Sequence, residues 1–426
     1  MGEQMRLCDP VPPVCTGLYC IAALALAACA DSANQAPAVV SRDSAGIAIV
    51  ESSAPRWTSS DRWLVGDRPR VQIGLTEGEP AYLFSNIEGA LLLRDGRVVV
   101  ADRGSSQIRF FTSAGVFESS IGGPGDGPGE LGYIRDLARC GADSLFVFEI
   151  DYLNVVFRID GDYVREAQPY DANSMTRRPY AMRCARNGYY VAVGWENLQG
   201  PRTIGFYRAE APTWILAPTH QLAVEPIESI PGAGLNVVAE LGVMLSSERI
   251  GRATGSGPHP FGRALQLAIS TEAVYLGTGE AFEVRRYDLN GQLVGLFRWP
   301  GHDLTIQDMD LEAYRVAALA AVSEAGRPAL ERSLREMPMP ATLPAFSRIE
   351  TDMAGNVWIE SFRKPGQPSQ NRRWTVIDAQ GVLLGDVAIP VDLEVTDIGE
   401  NAIVGVARDE LGVERVCVYD LVKPVG

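Results

Sequence analysis

The 426-residue chain carries 53 acidic against 38 basic side chains, a net charge of −15. That balance argues against a nucleic-acid partner. Nearly all the bases are arginine, with Lys364 and Lys423 the only lysines, so a lysine nucleophile or Schiff base is not expected.

The N-terminus opens with an apolar run from Val14 to Ala28. It has the length of a signal-peptide core and is short for a membrane span. Leu26-Ala27-Ala28-Cys29 closes it and reads as a lipobox, the site where a bacterial leader is cut and the new N-terminal cysteine is acylated. Arg6 is the leader's only base, opposed by Glu3 and Asp9, and a start at Met5 in place of Met1 would remove Glu3. The expectation is a signal peptide over 1–28, a lipidated Cys29, and a tether over 29–45 whose Ala, Ser, Asn and Pro content cannot build a core. The protein would then sit in the cell envelope, anchored by lipid on a periplasmic or extracellular face. No later apolar stretch is long enough to span a bilayer.

The remaining length, about 400 residues, suits a closed repeat array better than one core. Gly89 to Leu93, Val98 to Asp102, Gln107 to Phe111 and Val116 to Ile121 read as four short strands. The turns Asp95-Gly96, Arg103 to Ser106 and Ala114-Gly115 separate them. Copies follow at Leu145 to Phe148 with Val155 to Ile159, and at Tyr189 to Val193. Others are Ala273 to Gly277 with Phe282 to Tyr287, Val357 to Glu360 with Arg373 to Ile377, and Ala402 to Val406 with Arg415 to Tyr419. The period is about 45 residues, the size of a propeller blade. The fold class is all-β, a six-bladed β-propeller of four-stranded antiparallel blades over 46–426.

Two intervals are about twice as long. Leu304 to Met337 has helical spacing at Leu311, Arg315 and Leu319 and again at Leu330 and Leu334, with Thr305 and Asp308 as a cap and Pro338 and Pro340 as the stop. It reads as a helical insertion over about 304–338. Leu198 to Phe261 reads either as a blade with extended loops or as a hidden seventh blade. The last blade lacks a fourth strand. Gly46 to Val50 is expected to fill that place and close the ring, with Arg70 to Ile73 as the competitor.

Val100-Ala101-Asp102-Arg103 with Gln107-Ile108-Arg109-Phe110-Phe111 resembles the NHL-repeat blade, and Gly122 to Leu131 resembles its interblade loop. The order of lipobox, Asp43-Ser44-Ala45-Gly46-Ile47, glycine loop, helical insertion and Asp352-Met353-Ala354-Gly355-Asn356-Val357-Trp358 resembles the bacterial six-bladed β-propeller lipoproteins of the TolB-like superfamily. The resemblance covers about Gly46 to Val418. It implies the fold far more than an activity, although related propellers include metal-assisted enzymes.

Other motifs have plain readings. Gly122 to Gly129 lacks the GK[ST] of a phosphate loop and suits a turn. Asp102, Asp160, Asp288 and Asp378 recur at strand ends, where acids bond turn amides, with calcium in one loop as the alternative. The three histidines, His220, His259 and His302, lack metal-pair spacing, and no GxSxG elbow occurs. Cys8, Cys15 and Cys20 lie in the leader. Cys140 and Cys184 stand one repeat apart, each after an arginine at the end of an inner strand. They are either bridged or two buried thiols.

Arg135, Arg178, Arg263 and Arg348 fall near the starts of inner strands, with Glu88 and Asp392 in comparable places. They would meet at one mouth of the channel, either as a site for a carboxylate or sulfate or as a salt-bridged rim. The expected function is a monomeric binding scaffold for an envelope protein, peptide or glycan, without a cofactor. The alternative is a calcium-assisted lyase or lactonase working in the channel.

Overall fold

In the computed structural model, short apolar strands joined by tight turns make up nearly all of residues 38–141, 143–150, 154–167, 179–194, 205–217, 236–252, 255–366 and 371–424, which are the residues described. Cys29, the leader, Arg178 and His220 lie outside them. The chain begins with β1 (Val39–Ser44), β2 (Ile47–Ser52), β3 (Leu64–Val65) and β4 (Val71–Ile73). The first sheet is β5 (Ile87–Leu92), β6 (Val98–Asp102), β7 (Gln107–Phe111) and β8 (Phe117–Gly122), paired antiparallel in that order. The second is β9 (Ile134–Arg139), β10 (Ser144–Glu149), β11 (Asn154–Arg158) and β12 (Tyr163–Ala167). The third is β13 (Pro179–Cys184), β14 (Tyr190–Gly194), β15 (Gly205–Ala217), β16 (Asn236–Arg252) and β17 (Gly255–Pro258).

The fourth sheet contains β18 (Gln266–Ile269), β19 (Ala273–Gly277), β20 (Glu283–Asp288) and β21 (Leu293–Arg298). The fifth is β22 (Phe346–Thr351), β23 (Val357–Ser361), β24 (Asn371–Ile377) and β25 (Leu383–Pro390). The sixth holds β26 (Leu393–Ile398), β27 (Ala402–Arg408) and β28 (Glu414–Val422). The turns use the expected chemistry. Asp378 Oδ1 accepts from the amides of Gln380 and Val382, and Gly381 takes φ +94°, a conformation that only glycine adopts without strain. Asp352, Asp288 and Asp409 brace their own turns in the same way.

The core lies between sheets. Leu91, Val99 and Phe110 of the first sheet pack on Leu137, Val147 and Phe157 of the second. Phe146 and Val156 meet Tyr190 and Trp214 of the third, and Val191 and Ile215 meet Val274 and Leu276 of the fourth. Tyr275 and Phe297 meet Ile349 and Ile359 of the fifth, and Trp358 and Trp374 meet Val395 and Ile403 of the sixth. Val404, Val416 and Val418 then meet Val98, Val100 and Phe111 of the first. The described sheets therefore form a ring in a propeller-type arrangement. Each fully buried aliphatic or aromatic side chain contributes about 1.5–3 kcal/mol.

Ring closure differs from the expectation. The strands beside β28 are β4, with Val416 opposite Ile73 and Val418 opposite Val71, and β3, with Leu421 opposite Val65, not Gly46 to Val50. Ile73 is buried in the interface of the sixth and first sheets. β2 instead pairs parallel with β21 as an outer strand of the fourth sheet. β1 pairs with β2, so the expected tether gives way to a strand at Val39. β3 and β4 together line the β28 edge.

The insertion holds two helices, α1 (Asp308–Ala320) and α2 (Arg327–Arg335), with a 3₁₀ turn between them. Gln307 and Asp310 form the capping box of α1. The expected cap, Thr305, is engaged by Asp303 through both its amide and its hydroxyl. The long interval from Leu198 to Phe261 is occupied, where described, by the extended β15–β16 hairpin of the third sheet. No separate seventh sheet appears among the described residues.

Candidate functional site

The inner strands β5, β9, β13, β18, β22 and β26 surround a channel cavity of about 520 Å³. Each is the edge of its sheet, so its outward amides and carbonyls need partners from elsewhere. Side chains of neighbouring sheets supply them. Thr396 Oγ1 donates to Ala90 O at 2.8 Å, and Asp397 Oδ2 accepts from Leu92 N at 2.9 Å. Arg348 Nη1 donates to Val395 O at 2.6 Å, and Thr351 Oγ1 to Ile269 O at 2.9 Å. Arg139 reaches both Leu92 O and Asp397 Oδ1. Arg183 pairs with Asp136 at 3.1 Å.

Two of the four arginines expected at the mouth, Arg135 and Arg348, line this cavity. Arg263 does not. It is buried against Glu248, with Nη2–Oε1 2.7 Å and its amide on Oε2 at 2.9 Å, in the wall between the long hairpin and β18. Asp392 is likewise not a lining residue, whereas Glu394 and Asp397 are. Arg139, Arg183 and Arg186 complete the basic lining. They lie at the ends of inner strands rather than the starts, and the arginine before Cys140 and before Cys184 was the available signal.

The two ends of the channel differ. Where the inner strands start, Arg103 pairs with Glu88 at 2.5 Å and stacks over the half-exposed Tyr133 ring at 4.5 Å. Burial pushes the Glu88 carboxyl above its usual range, with Arg103 opposing. The long hairpin and the helices also leave the ring at this end. β14 pairs only with Thr213 to Leu216 of β15, so Gly205 to Pro212, held by Val243 to Gly251 of β16, project past the sheet. The helices lie between β21 and β22. The two projections touch through Phe206, His259, Phe261 and Tyr314, whose successive ring centroids are 5.8, 6.3 and 5.5 Å apart. Asp310 and Lys364, 2.9 Å apart, tie α1 to the fifth sheet's loop.

Where the inner strands end, Arg139, Arg186, Thr271, Asp352 and Asp397 line the channel. Burial lowers the Arg186 pKa, and the charges of Arg139 and Arg94 lower it further. In mid-channel, enclosure by the wall raises the Asp136 carboxyl despite its pairing with Arg183.

Behind this wall Cys140 and Cys184 are bonded, with Cα atoms 5.4 Å apart, joining the second and third sheets. Cys417 is a buried thiol pushed up to about 11 by burial. His259 and His302 are not channel residues. In the glycine loop, Glu130 Oε2 accepts from Gly127 N at 2.8 Å, so a side chain of the loop fills the place a phosphate would take. Among the described residues no three or more His, Cys, Asp or Glu gather at metal-binding distances, and no helix is long and apolar enough to cross a membrane.

No family model matches the sequence, and no curated protein does. Solved structures of similar shape include a protein from Bacteroides fragilis described as exported. It is 10% identical, with 88% of this chain and 100% of that one covered and a TM-score of 0.46. Virginiamycin B lyase from Staphylococcus aureus is 10% identical over 85% of this chain and 100% of its own, with a TM-score of 0.38. Regucalcin from Agrobacterium tumefaciens, described as calcium-binding, is 9% identical over 80% and 94%, also at 0.38.

Proposed function

We propose that this protein is an exported lipoprotein, acylated at Cys29, whose sheets make a closed six-bladed propeller of the NHL type. It acts as a binding scaffold for an envelope protein, peptide or glycan and not as an enzyme. One observation carries the reading: the two long additions to the ring, the β15–β16 hairpin and the α1–α2 insertion, leave from the same end and pack on each other through Phe206, His259, Phe261 and Tyr314. Long additions to a compact repeat are commonly partner-facing. The channel mouth beside them carries Glu88, Arg103 and Tyr133, a charged and aromatic set suited to a polar ligand.

The test is crosslinking and affinity capture from the native envelope with the full chain, with and without residues 304–338. Removal of the insertion is expected to preserve cooperative melting and weaken capture. Cys29→Ala is expected to move the protein out of the membrane fraction, since a multi-acyl anchor binds far more tightly than none. Turnover of a lactone or ester by the purified protein, lost on calcium chelation, would overturn the binding reading in favour of an enzyme.

A further inference from the structure

We propose that the opposite end of the channel, where the inner strands finish, is an oxyanion site. Arg139 and Arg186, from neighbouring sheets, would hold the carboxylate or phosphate group of a small molecule there. Arg139 ends β9, Arg186 lies in the turn between β13 and β14, and Arg94 lies in the turn between β5 and β6. Arg139 and Arg186 both line the channel at this end, and the exposed Arg94 lies outside its lining.

The acids at this end are committed elsewhere. Asp397 spends Oδ1 on Arg139 and Oδ2 on Leu92 N. Asp352 spends its carboxylate on the amides of Ala354 and Asn356, on Asn356 Nδ2 and on Trp358 Nε1. Arg183, deeper in, is engaged by Asp136. That leaves Arg186. Its Nη2 is buried and has no hydrogen-bond partner among the described residues, although the side chain lines the cavity.

A buried guanidinium donor without an acceptor is unfavourable by itself. An oxyanion would satisfy the donor and accept from the guanidinium fork. The lowered Arg186 pKa, caused by burial and then by Arg139 and Arg94 against the opposing charge of Asp397, agrees with this enclosure. The inference is independent of partner docking at the other end, where the hairpin and helices project.

The experiment is calorimetric titration of the full chain with inorganic phosphate and, separately, with citrate, at low and at physiological salt. Binding of either is expected, weaker at the higher salt. Arg186→Gln should weaken it at least about tenfold. Phosphate alone would mark a phosphate-bearing ligand, and citrate alone a carboxylate. Arg285→Gln, which removes the same charge from an exposed position on the fourth sheet, should leave binding unchanged. The apparent melting temperature of Arg186→Gln should equal or exceed that of the parent, because the change removes an unsatisfied buried donor. Absence of binding of both ions at millimolar concentration overturns the proposal. So does equal weakening by Arg285→Gln, or a clear drop in the Arg186→Gln melting temperature. Partner capture by Arg186→Gln is expected to be unimpaired, which separates failure here from failure at the other face.

Discussion

Arg139 of the second sheet donates to Asp397 of the sixth, and on the way to the carbonyl of Leu92 in the first. Two residues far apart in sequence thereby clamp three consecutive sheets at the junction where the ring closes. Both are largely buried, with side chains 15% and 8% exposed, so loss of one partner strands the other. Arg139→Ala is expected to cost about 3 kcal/mol. Asp397→Asn should cost less, since its amide oxygen can still accept from Leu92 N. Equilibrium urea unfolding of both variants checks this, and a change near zero for Arg139→Ala would remove the clamp.

The second prediction concerns the Cys140–Cys184 bond. It sits directly behind Arg139 and Arg183 and fixes the spacing of β9 and β13. Closing a loop of 44 residues contributes about 4 kcal/mol in the chain-entropy model. Cys140→Ser with Cys184→Ser should lower the melting temperature by several degrees, and reductant should act likewise on the parent chain only. Thiol titration of unreduced, denatured protein lacking residues 1–29 should find one thiol, that of Cys417. Three would show the pair to be free.

Ring closure gives the third prediction. Ile73 is 1% exposed and belongs to the core shared by the sixth and first sheets, so Ile73→Ala should cost about 2–4 kcal/mol. Deleting Val39 to Ser52 removes the outer β1–β2 hairpin of the fourth sheet, including the core residue Val50 and the Ser52 hydroxyl that accepts from Leu383 N. It should leave the ring closed while exposing the β21 edge to self-association. Melting and light scattering of the two variants separate the roles: Ile73→Ala lowers stability without aggregation, whereas the deletion, which also takes out buried Val50 and Ser52, lowers stability and promotes aggregation.

That division marks what the sequence discloses. Strand interiors and turns are local. Ala273 to Gly277 is bounded identically in sequence and structure because Val274, Tyr275 and Leu276 form a continuous apolar run between turn residues, and Asp378 with Gly381 dictates its turn from four positions. The choice between Gly46 to Val50 and Arg70 to Ile73 is not local. Both carry β-branched residues, Ile47, Ile49 and Val50 in one and Val71 and Ile73 in the other, and only the partner edge decides between them. The site was half legible for the same reason. Arg135 and Arg348 follow from the expectation that strand starts converge, whereas Arg263 has the same spacing but turns away to Glu248. Arg139 and Arg186 serve the opposite end, which residue spacing alone does not single out.

The last prediction is a loss of stability in acid through His259. The ring lies between the long hairpin and the end of the helical insertion. Its Nδ1 accepts from Phe261 N at 3.0 Å, and Nε2 donates to Pro338 O at 2.9 Å, which assigns the neutral Nε2–H tautomer. Burial lowers its pKa below 6.5, against the opposing pull of the Pro338 carbonyl and of Glu248, whose charge Arg263 already pairs. Protonation of Nδ1 would break the Phe261 bond. Because the folded-state pKa is the lower one, the unfolded chain takes up the proton first. Stability is therefore full above about pH 6.5 and falls as the pH drops from there through the folded-state value. His302 is lowered too, by burial and then by Arg373 and Lys364, and adds a slope of the same sign. His259→Gln, whose amide can still donate to Pro338 O, should be less stable than the parent at pH 7.5 and show a shallower decline towards pH 5. An unchanged slope in that variant would move the acid sensitivity to His302 or to carboxylates elsewhere in the ring.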